Sequence, residues 1–418
     1  MAFEKGLQKI YAALCLIVPL FILPKGGSSD HFYLPKLVLL TLFCLVLIIH
    51  CGLHFREMNR HKVMDTITMA SLTFLLLLSI SLFFALDLKE SLFGRIYRYE
   101  GYLTIVMYLF LFWGARFIRN DKWVLNMLLV GIVIQAVYGI AQSNGFDPIL
   151  RDDTRMGWQS AFGTLGNPNF YGSFMAMALP LSIWFMFKQQ VRIGALIYAL
   201  VFYALLASMT RGAWLGASVG LLFGLWIARK SSSYLSKVSL ILVISFTLLV
   251  QYNQSHHNQV VTQALSIPKE AVEVLVQAES APQAGSYRIF IWTHVLDLVK
   301  ERPLMGYGFD YLPKLFFEYY QKDMHTVMGR LMTIDKAHNE YLNIAVSAGI
   351  PSLIAYLILL FVVLKKNISY GPNLLFAVIV AYMVQAFFNI SVVSVAYLFW
   401  ILLGRLVPYA SKSTSEAH

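Results

Sequence analysis

Uninterrupted apolar runs of about 20 residues recur along this chain, and they constrain its fold more than any other feature. In hydrocarbon every backbone N–H and C=O must be bonded within the protein, which leaves helices and closed barrels as the spanning structures. Runs of this length without strict alternation select helices. Of the 418 residues, 58% are hydrophobic and only 13% are charged, against about a quarter charged in an ordinary globular domain. That balance excludes a soluble α/β enzyme.

Twelve runs are expected to span, at residues 7–23, 34–53, 66–86, 102–118, 123–142, 170–187, 193–209, 213–228, 235–250, 341–364, 374–388 and 392–407. The last two are separated only by Asn389-Ile390-Ser391 and read as a tight hairpin. Lys5 and Lys9 precede the first run in the manner of a signal peptide. Pro24-Lys25-Gly26-Gly27 follows it instead of a small-residue cleavage site, so an uncleaved first helix is expected. The reading is an all-α polytopic membrane protein forming a single domain over residues 1–418, with about 12 transmembrane helices.

Charge placement orients these helices. With the N-terminus in the cytoplasm, 17 of the 33 basic residues but only five of the 22 acidic ones fall on the inner side. This is the positive-inside bias of a membrane protein, and it accounts for the net charge of +11 without a nucleic-acid partner. The long polar segment 251–339, between spans nine and ten, then lies outside, in the periplasm or at the cell exterior. The tail 411–418 is expected to be a disordered cytoplasmic end. Cys15, Cys44 and Cys51 all fall in the first two spans, so the long loop carries no disulfide.

That loop has internal order. A short helix is expected over 268–277. Another begins near Gly285-Ser286, with Ile289, Trp292, Val295, Leu296 and Val299 at helical spacing, and ends near Arg302-Pro303. Gly306-Tyr307-Gly308 makes a turn. A third amphipathic piece runs over 311–322. Such helices lie on the membrane surface or cap the bundle, and no soluble-domain core is evident.

Topology brings Arg95, Arg98, Arg155, Arg211, Arg288 and His338 to outer span ends, an arrangement that could form one basic pocket. Guanidinium groups suit a phosphate because their planar fork donates paired hydrogen bonds and stays charged. Each residue also has a plainer reading. Arg95, Arg98 and Arg155 could be interfacial anchors, and Arg288 a solvated charge on an amphipathic helix. Arg211 lies in a turn too short to reach water, so it requires an anionic partner. His338 either bonds a carbonyl at the helix entrance or accepts a proton from a hydroxyl. Asn339 reads as a helix cap, with Glu340 stabilising the first turn. His256-His257 lacks partners at metal spacing, and Gly306-Tyr307-Gly308 lacks the strand–helix setting of a nucleotide fingerprint.

Four stretches in order carry a family resemblance: Gly163-Thr164-Leu165-Gly166-Asn167-Pro168-Asn169 before a span; Thr210-Arg211-Gly212-Ala213 at a span start; Arg288 and Trp292 followed by Pro303-Leu304-Met305-Gly306-Tyr307-Gly308; and Ala337-His338-Asn339-Glu340-Tyr341-Leu342 followed by Ala348-Gly349-Ile350-Pro351. Over residues 92–400 the chain resembles the O-antigen ligase and polymerase superfamily of bacterial membrane glycosyltransferases. The resemblance implies a glycan donor linked to undecaprenyl diphosphate, and transfer at the outer face of the cytoplasmic (inner) membrane without metal or nucleotide. It implies an acceptor that is lipid A–core, another glycolipid, a wall polymer or a protein. It also implies catalytic roles for Arg211, Arg288 and His338. From their placement at outer span ends and the helix entrance, Arg95, Arg98, Arg155, Asn339 and Glu340 are expected to be the surrounding substrate-binding set. Asn339 or Glu340 would orient His338. A polymerase of lipid-linked repeat units is the nearest alternative. A transporter or flippase for a lipid-linked or anionic substrate is the alternative of another class; it would place ionisable groups near mid-membrane.

Overall fold

A computed structural model describes residues 2–23, 30–59, 61, 63–120, 122–149, 160–188, 190–231, 233–266 and 287–410. Helices dominate, and no β-strand occurs among the described residues. Six helices are long and apolar enough to cross a membrane: α2 (Tyr33–Leu53), α7 (Lys122–Ser143), α8 (Pro168–Lys188), α10 (Arg211–Ala228), α11 (Tyr234–Ser255) and α15 (Glu340–Ser369). Five shorter apolar helices accompany them: α4 (Thr66–Leu82), α6 (Tyr102–Ala115), α9 (Val191–Ala207), α16 (Leu374–Ala386) and α17 (Ala396–Leu406). The N-terminal α1 (Ala2–Leu20) packs on α2 and α7, and the one-turn α3 (Phe55–Met58) follows α2. Lipid-facing residues stay exposed, such as Ile49, Leu222, Phe246 and Phe361, as the outside of a multi-pass membrane protein requires.

Small residues set the tightest packing. Gly212, Gly216, Gly220 and Gly224 recur every fourth position along α10 and face α16 and α8. A Cβ at Gly216 would stand 2.5 Å from the Ala381 carbonyl oxygen, and one at Gly220 would stand 2.7 Å from the Ala381 side chain. In lipid, where no hydrophobic drive pushes helices together, such close backbone approach supplies the association through van der Waals contact.

Polar residues gather at two ends of the bundle. At one end Arg116 clasps Asp65, which Lys366 also reaches at 3.3 Å, and the Arg116 guanidinium stacks on Tyr409. The other end carries the short helices α5 (Leu88–Phe93), α12 (Arg288–Glu301), α13 (Leu312–Tyr319) and α14 (Gln321–Met328).

These short helices correct two expectations. The amphipathic piece over 311–322 is two helices, α13 and α14, broken at Tyr320. They also build a small core of their own, with Phe290, Leu298, Leu312, Phe316, Met324 and Ile334 closing on Ala345 and Val346 of α15. The segment 392–395 is a buried turn leading into α17, so the last two apolar runs do not meet in a tight hairpin. The helix expected over 268–277 and the tail 411–418 lie outside the described residues.

One interlock joins this cap to the bundle. Gly349 breaks α15 with φ 83°, which leaves carbonyls of the preceding turn without helical donors. Those of Val346 and Ser347 accept the N–H groups of Tyr307 (2.9 Å) and Gly308 (2.9 Å), while Ile350 N–H donates to the Pro303 carbonyl (2.7 Å). A Cβ on Gly349 would meet the Leu304 carbonyl oxygen at 2.0 Å. Gly349→Ala is therefore expected to cost at least about 1–3 kcal/mol from the backbone conformation alone, read as a lowered thermal midpoint of the purified protein in detergent. An unchanged midpoint would remove the interlock from the account.

Candidate active site

Arg211, Arg288 and His338 line one cavity of about 510 Å3 at the capped end of the bundle. Arg211 is the first residue of α10, Arg288 is the first of α12, and His338 stands one residue before the Asn339 cap of α15. Asn169, in the first turn of α8, lines the same space. Four helix N-termini thus converge on it, each bringing the partial positive end of a helix dipole. No carboxylate lines the cavity among the described residues; the rest of its wall is Met209, Thr210, Gln263, Tyr287, Ile291, Met328, Met332, Thr333 and Ile334. The chemistry of this lining suits an anion.

The backbone around the cavity is held in unusual conformations. Met209 (φ 51°), Tyr287 (φ 65°) and His338 (φ 49°) are all left-handed, although none is glycine. Each costs of order 1–3 kcal/mol, and such strain persists where the surroundings over-determine it. Here the surroundings are specific. Thr210 Oγ1 donates to the Pro168 carbonyl (3.1 Å), which ties the start of α10 to the start of α8. Trp292 Nε1 donates to the Ala337 carbonyl (2.9 Å), which ties α12 to the residue next to His338. Arg211 Nη1 donates to Ser266 Oγ (2.7 Å).

His338 is half-buried, and its Nε2 lies 3.9 Å from Asp335 Oδ1. Arg98 in turn donates through Nε and Nη2 to Asp335 Oδ2, both at 2.5 Å, with its guanidinium 6.0 Å from the Tyr33 ring centroid and 5.8 Å from that of Phe170. Burial would raise the Asp335 carboxyl, but the charges of Arg98 and His338 outweigh it and hold the group below its usual range. Burial lowers the His338 imidazole; Asp335 opposes this, and Arg288 and Arg98 add to it. The net shift is downward from 6.5, so the ring is neutral at pH 7 and free to accept a proton.

The eight residues expected at the site are therefore distributed. Arg211, Arg288 and His338 share the cavity. Arg98 stands behind it, paired with Asp335. Arg95 faces a neighbouring groove, and its backbone N–H donates to Asp310 (2.9 Å). Arg155 lies outside the described residues. Asn339 caps α15 by accepting the Leu342 N–H (3.0 Å). Glu340 turns away from the cavity into the bundle, accepting from Tyr356 (2.8 Å) and Tyr382 (2.9 Å). It lines a small space of about 40 Å3 with Glu100 and Lys336. There burial pushes the Glu100 carboxyl up to about 7, and Lys336 pairs with Asp310. A single basic pocket built from all the outer arginines is thus not what forms, and neither Asn339 nor Glu340 orients His338. Asp335 is the acidic neighbour that sequence reasoning passed over; its only signal was an acid three residues before the histidine.

The fold and site define a multi-pass helical membrane protein with an arginine–histidine cavity at converging helix N-termini. The O-antigen ligase family model matches residues 195–357, a segment that contains Arg211, Arg288 and His338. That match supports a place in the O-antigen ligase and polymerase superfamily of membrane glycosyltransferases. A search of curated proteins finds no match.

Asp335 stabilises the imidazolium form, so removing its charge lowers the His338 pKa further. Asp335→Asn is expected to move the His338 titration to lower pH in histidine-selective NMR. A titration that stays put would mean the 3.9 Å pair carries no coupling.

Proposed function

We propose that this protein is an O-antigen ligase-type glycosyltransferase. It moves a glycan from an undecaprenyl-diphosphate donor to an acceptor hydroxyl at the outer face of the bacterial cytoplasmic membrane. The observation that carries the reading is the single cavity shared by Arg211, Arg288 and His338, with no carboxylate among its described lining residues. Twelve crossings, one at each expected apolar run, would put that cavity outside, under the loop 251–339, with residues 411–418 in the cytoplasm.

In this reaction Arg211 and Arg288 bind the diphosphate, whose lipid chain stays in the bilayer. They stabilise the charge that grows on the leaving phosphate as the anomeric bond breaks. The neutral His338 takes the proton of the acceptor hydroxyl as its oxygen attacks the anomeric carbon. Undecaprenyl diphosphate leaves, and a single displacement inverts the sugar's configuration. Asp335, clamped by Arg98, offsets the charge that His338 acquires. Phosphate stabilisation by arginine and proton removal by histidine make the step independent of metal and nucleotide. The acceptor is lipid A–core, another glycolipid, a wall polymer or a protein; a second lipid-linked repeat unit would make the enzyme a polymerase.

Transport is the weaker account. In each of the six long helices the charged residues sit near an end, among them Lys36, Lys122, Arg211, Lys237, Glu340 and Lys365. The middle third that a transporter would use is free of them.

The test is incubation of the purified protein with donor and candidate acceptors. Transfer is expected without nucleotide and in the presence of a chelator. His338→Ala should abolish it, a loss of at least about 100-fold for a missing general base, while the protein still inserts. Arg211→Ala and Arg288→Ala should each lower kcat/KM by about 100-fold or more. Full activity in the histidine variant would sink the assignment. Since neutral His338 is the active form and its pKa lies below 6.5, kcat/KM should be flat near pH 7 and fall with acid only below that value. A loss of activity already at pH 7 would contradict the basic role.

A further inference from the structure

A second and larger cavity, about 850 Å3, opens beside the first. Met332 and Thr333, in an exposed non-helical stretch of chain, line both. Its walls are α5, α13 and the start of α14, three short helices of the cap. Its volume is within the roughly 300–1,000 Å3 of ordinary small-molecule sites.

Its chemistry differs from that of the arginine–histidine cavity. Lys314 is already neutralised, by Asp87 at 2.7 Å and Glu90 at 2.6 Å. Among the described residues, the side-chain polar groups of Arg95, Glu318, Gln321 and Thr333 make no hydrogen bond or ion pair. Free donors and free acceptors therefore line one wall system together. An anion would meet Glu318; a cation would meet Arg95. A ligand dense in hydroxyls satisfies both, because each hydroxyl donates and accepts. Phe317 adds an aromatic ring, 60% exposed, on the same groove. Such a ring packs against the C–H face of a pyranose while polar neighbours bond its edge. α13 is built for this division: Leu312, Leu315 and Phe316 are buried in the cap core, while Lys314, Phe317 and Glu318 turn outward.

We propose that this groove is a saccharide-binding subsite that holds sugar residues next to the reacting bond. The proposal rests on the glycan-transfer reading above. The saccharide belongs either to the donor, beyond its first sugar, or to the acceptor, and the experiment separates the two. Phe317 and Glu318 would position sugar, not act on the reacting atoms.

Binding is measured first, without turnover. The full-length protein in nanodiscs is titrated with the reducing oligosaccharide released by mild acid from the source organism's lipid-linked glycan, read by saturation-transfer NMR. Phe317→Ala and Glu318→Gln are each expected to weaken binding by about three- to tenfold, the effect of one lost contact, and Arg211→Ala to leave it unchanged. Both groove residues are exposed, so folding is expected to survive, and Glu318→Gln keeps the side-chain shape in any case. Kinetics with the same two variants then assign the source. A rise in KM for the donor alone places donor sugars in the groove, and a rise for the acceptor alone places acceptor sugars there. Unchanged oligosaccharide binding together with unchanged KM for both substrates overturns the proposal, as does weakening by Arg211→Ala alone. If transfer occurs but the groove variants are silent, only the groove assignment fails. If the oligosaccharide binds in the groove but no transfer is found, only the transfer reading fails.

Discussion

The geometry of the site hangs on a break in a helix. Gly349 interrupts α15, and the carbonyls this frees at Val346 and Ser347 are taken up by the 303–308 turn. Without that exchange the broken turn would carry unsatisfied backbone groups at the edge of an apolar layer, where each costs several kcal/mol. The turn also reaches α4, through Ser81 Oγ to the Met305 carbonyl (2.7 Å), and the segment after α4, through Leu86 N–H to the Tyr307 carbonyl (3.0 Å). The register of the cap over the bundle is thereby fixed from two sides. Arg288 at the head of α12 and His338 at the head of α15 inherit their separation from it.

Much of the architecture was legible because hydrocarbon allows few alternatives. The six helices long enough to span each fall on an expected apolar run, often within a few residues, since an unpaired backbone is intolerable there whatever the side chains are. The helix ending near Arg302 and the cap at Asn339 could be read from local signals. Two of the four loose motifs turn out to be one device: the Pro303–Gly308 stretch and the Ala348–Pro351 stretch bond to each other. Periodicity did not reveal this, because it reports which face is apolar and not which distant segment will meet it. The glycine ladder of α10 was likewise present in the sequence but meaningless until α16 was laid against it.

The candidate site was legible to a different extent. Arg211 stood out because its turn offers no escape to water. Arg98, Arg95 and Glu340 sit in the same outer layer, yet they have three different jobs: clamping Asp335, facing the groove, and satisfying two buried tyrosines. Which partner a charge finds depends on loop paths and on the few tenths of an ångström that separate a bond from a gap. A linear chain of residue types does not encode those directly. Asp335 was hidden for the same reason, since an acid beside a lysine at a helix entrance is ordinary until Arg98 arrives from elsewhere in the chain.

The site lies on a seam between two cores of unequal size. The large one runs through the membrane bundle and contributes Arg211 and Asn169; the small one belongs to the cap and contributes Arg288. A structure divided in this way has two local stabilities, and the smaller core opens first. Such an opening would part the arginines while leaving the spanning helices intact. Access to the cavity would thus come from a fluctuation in a few short helices, with the spanning bundle around them left undisturbed. Amide exchange in α12, slow in proportion to the closed fraction, would be the clock of that gate.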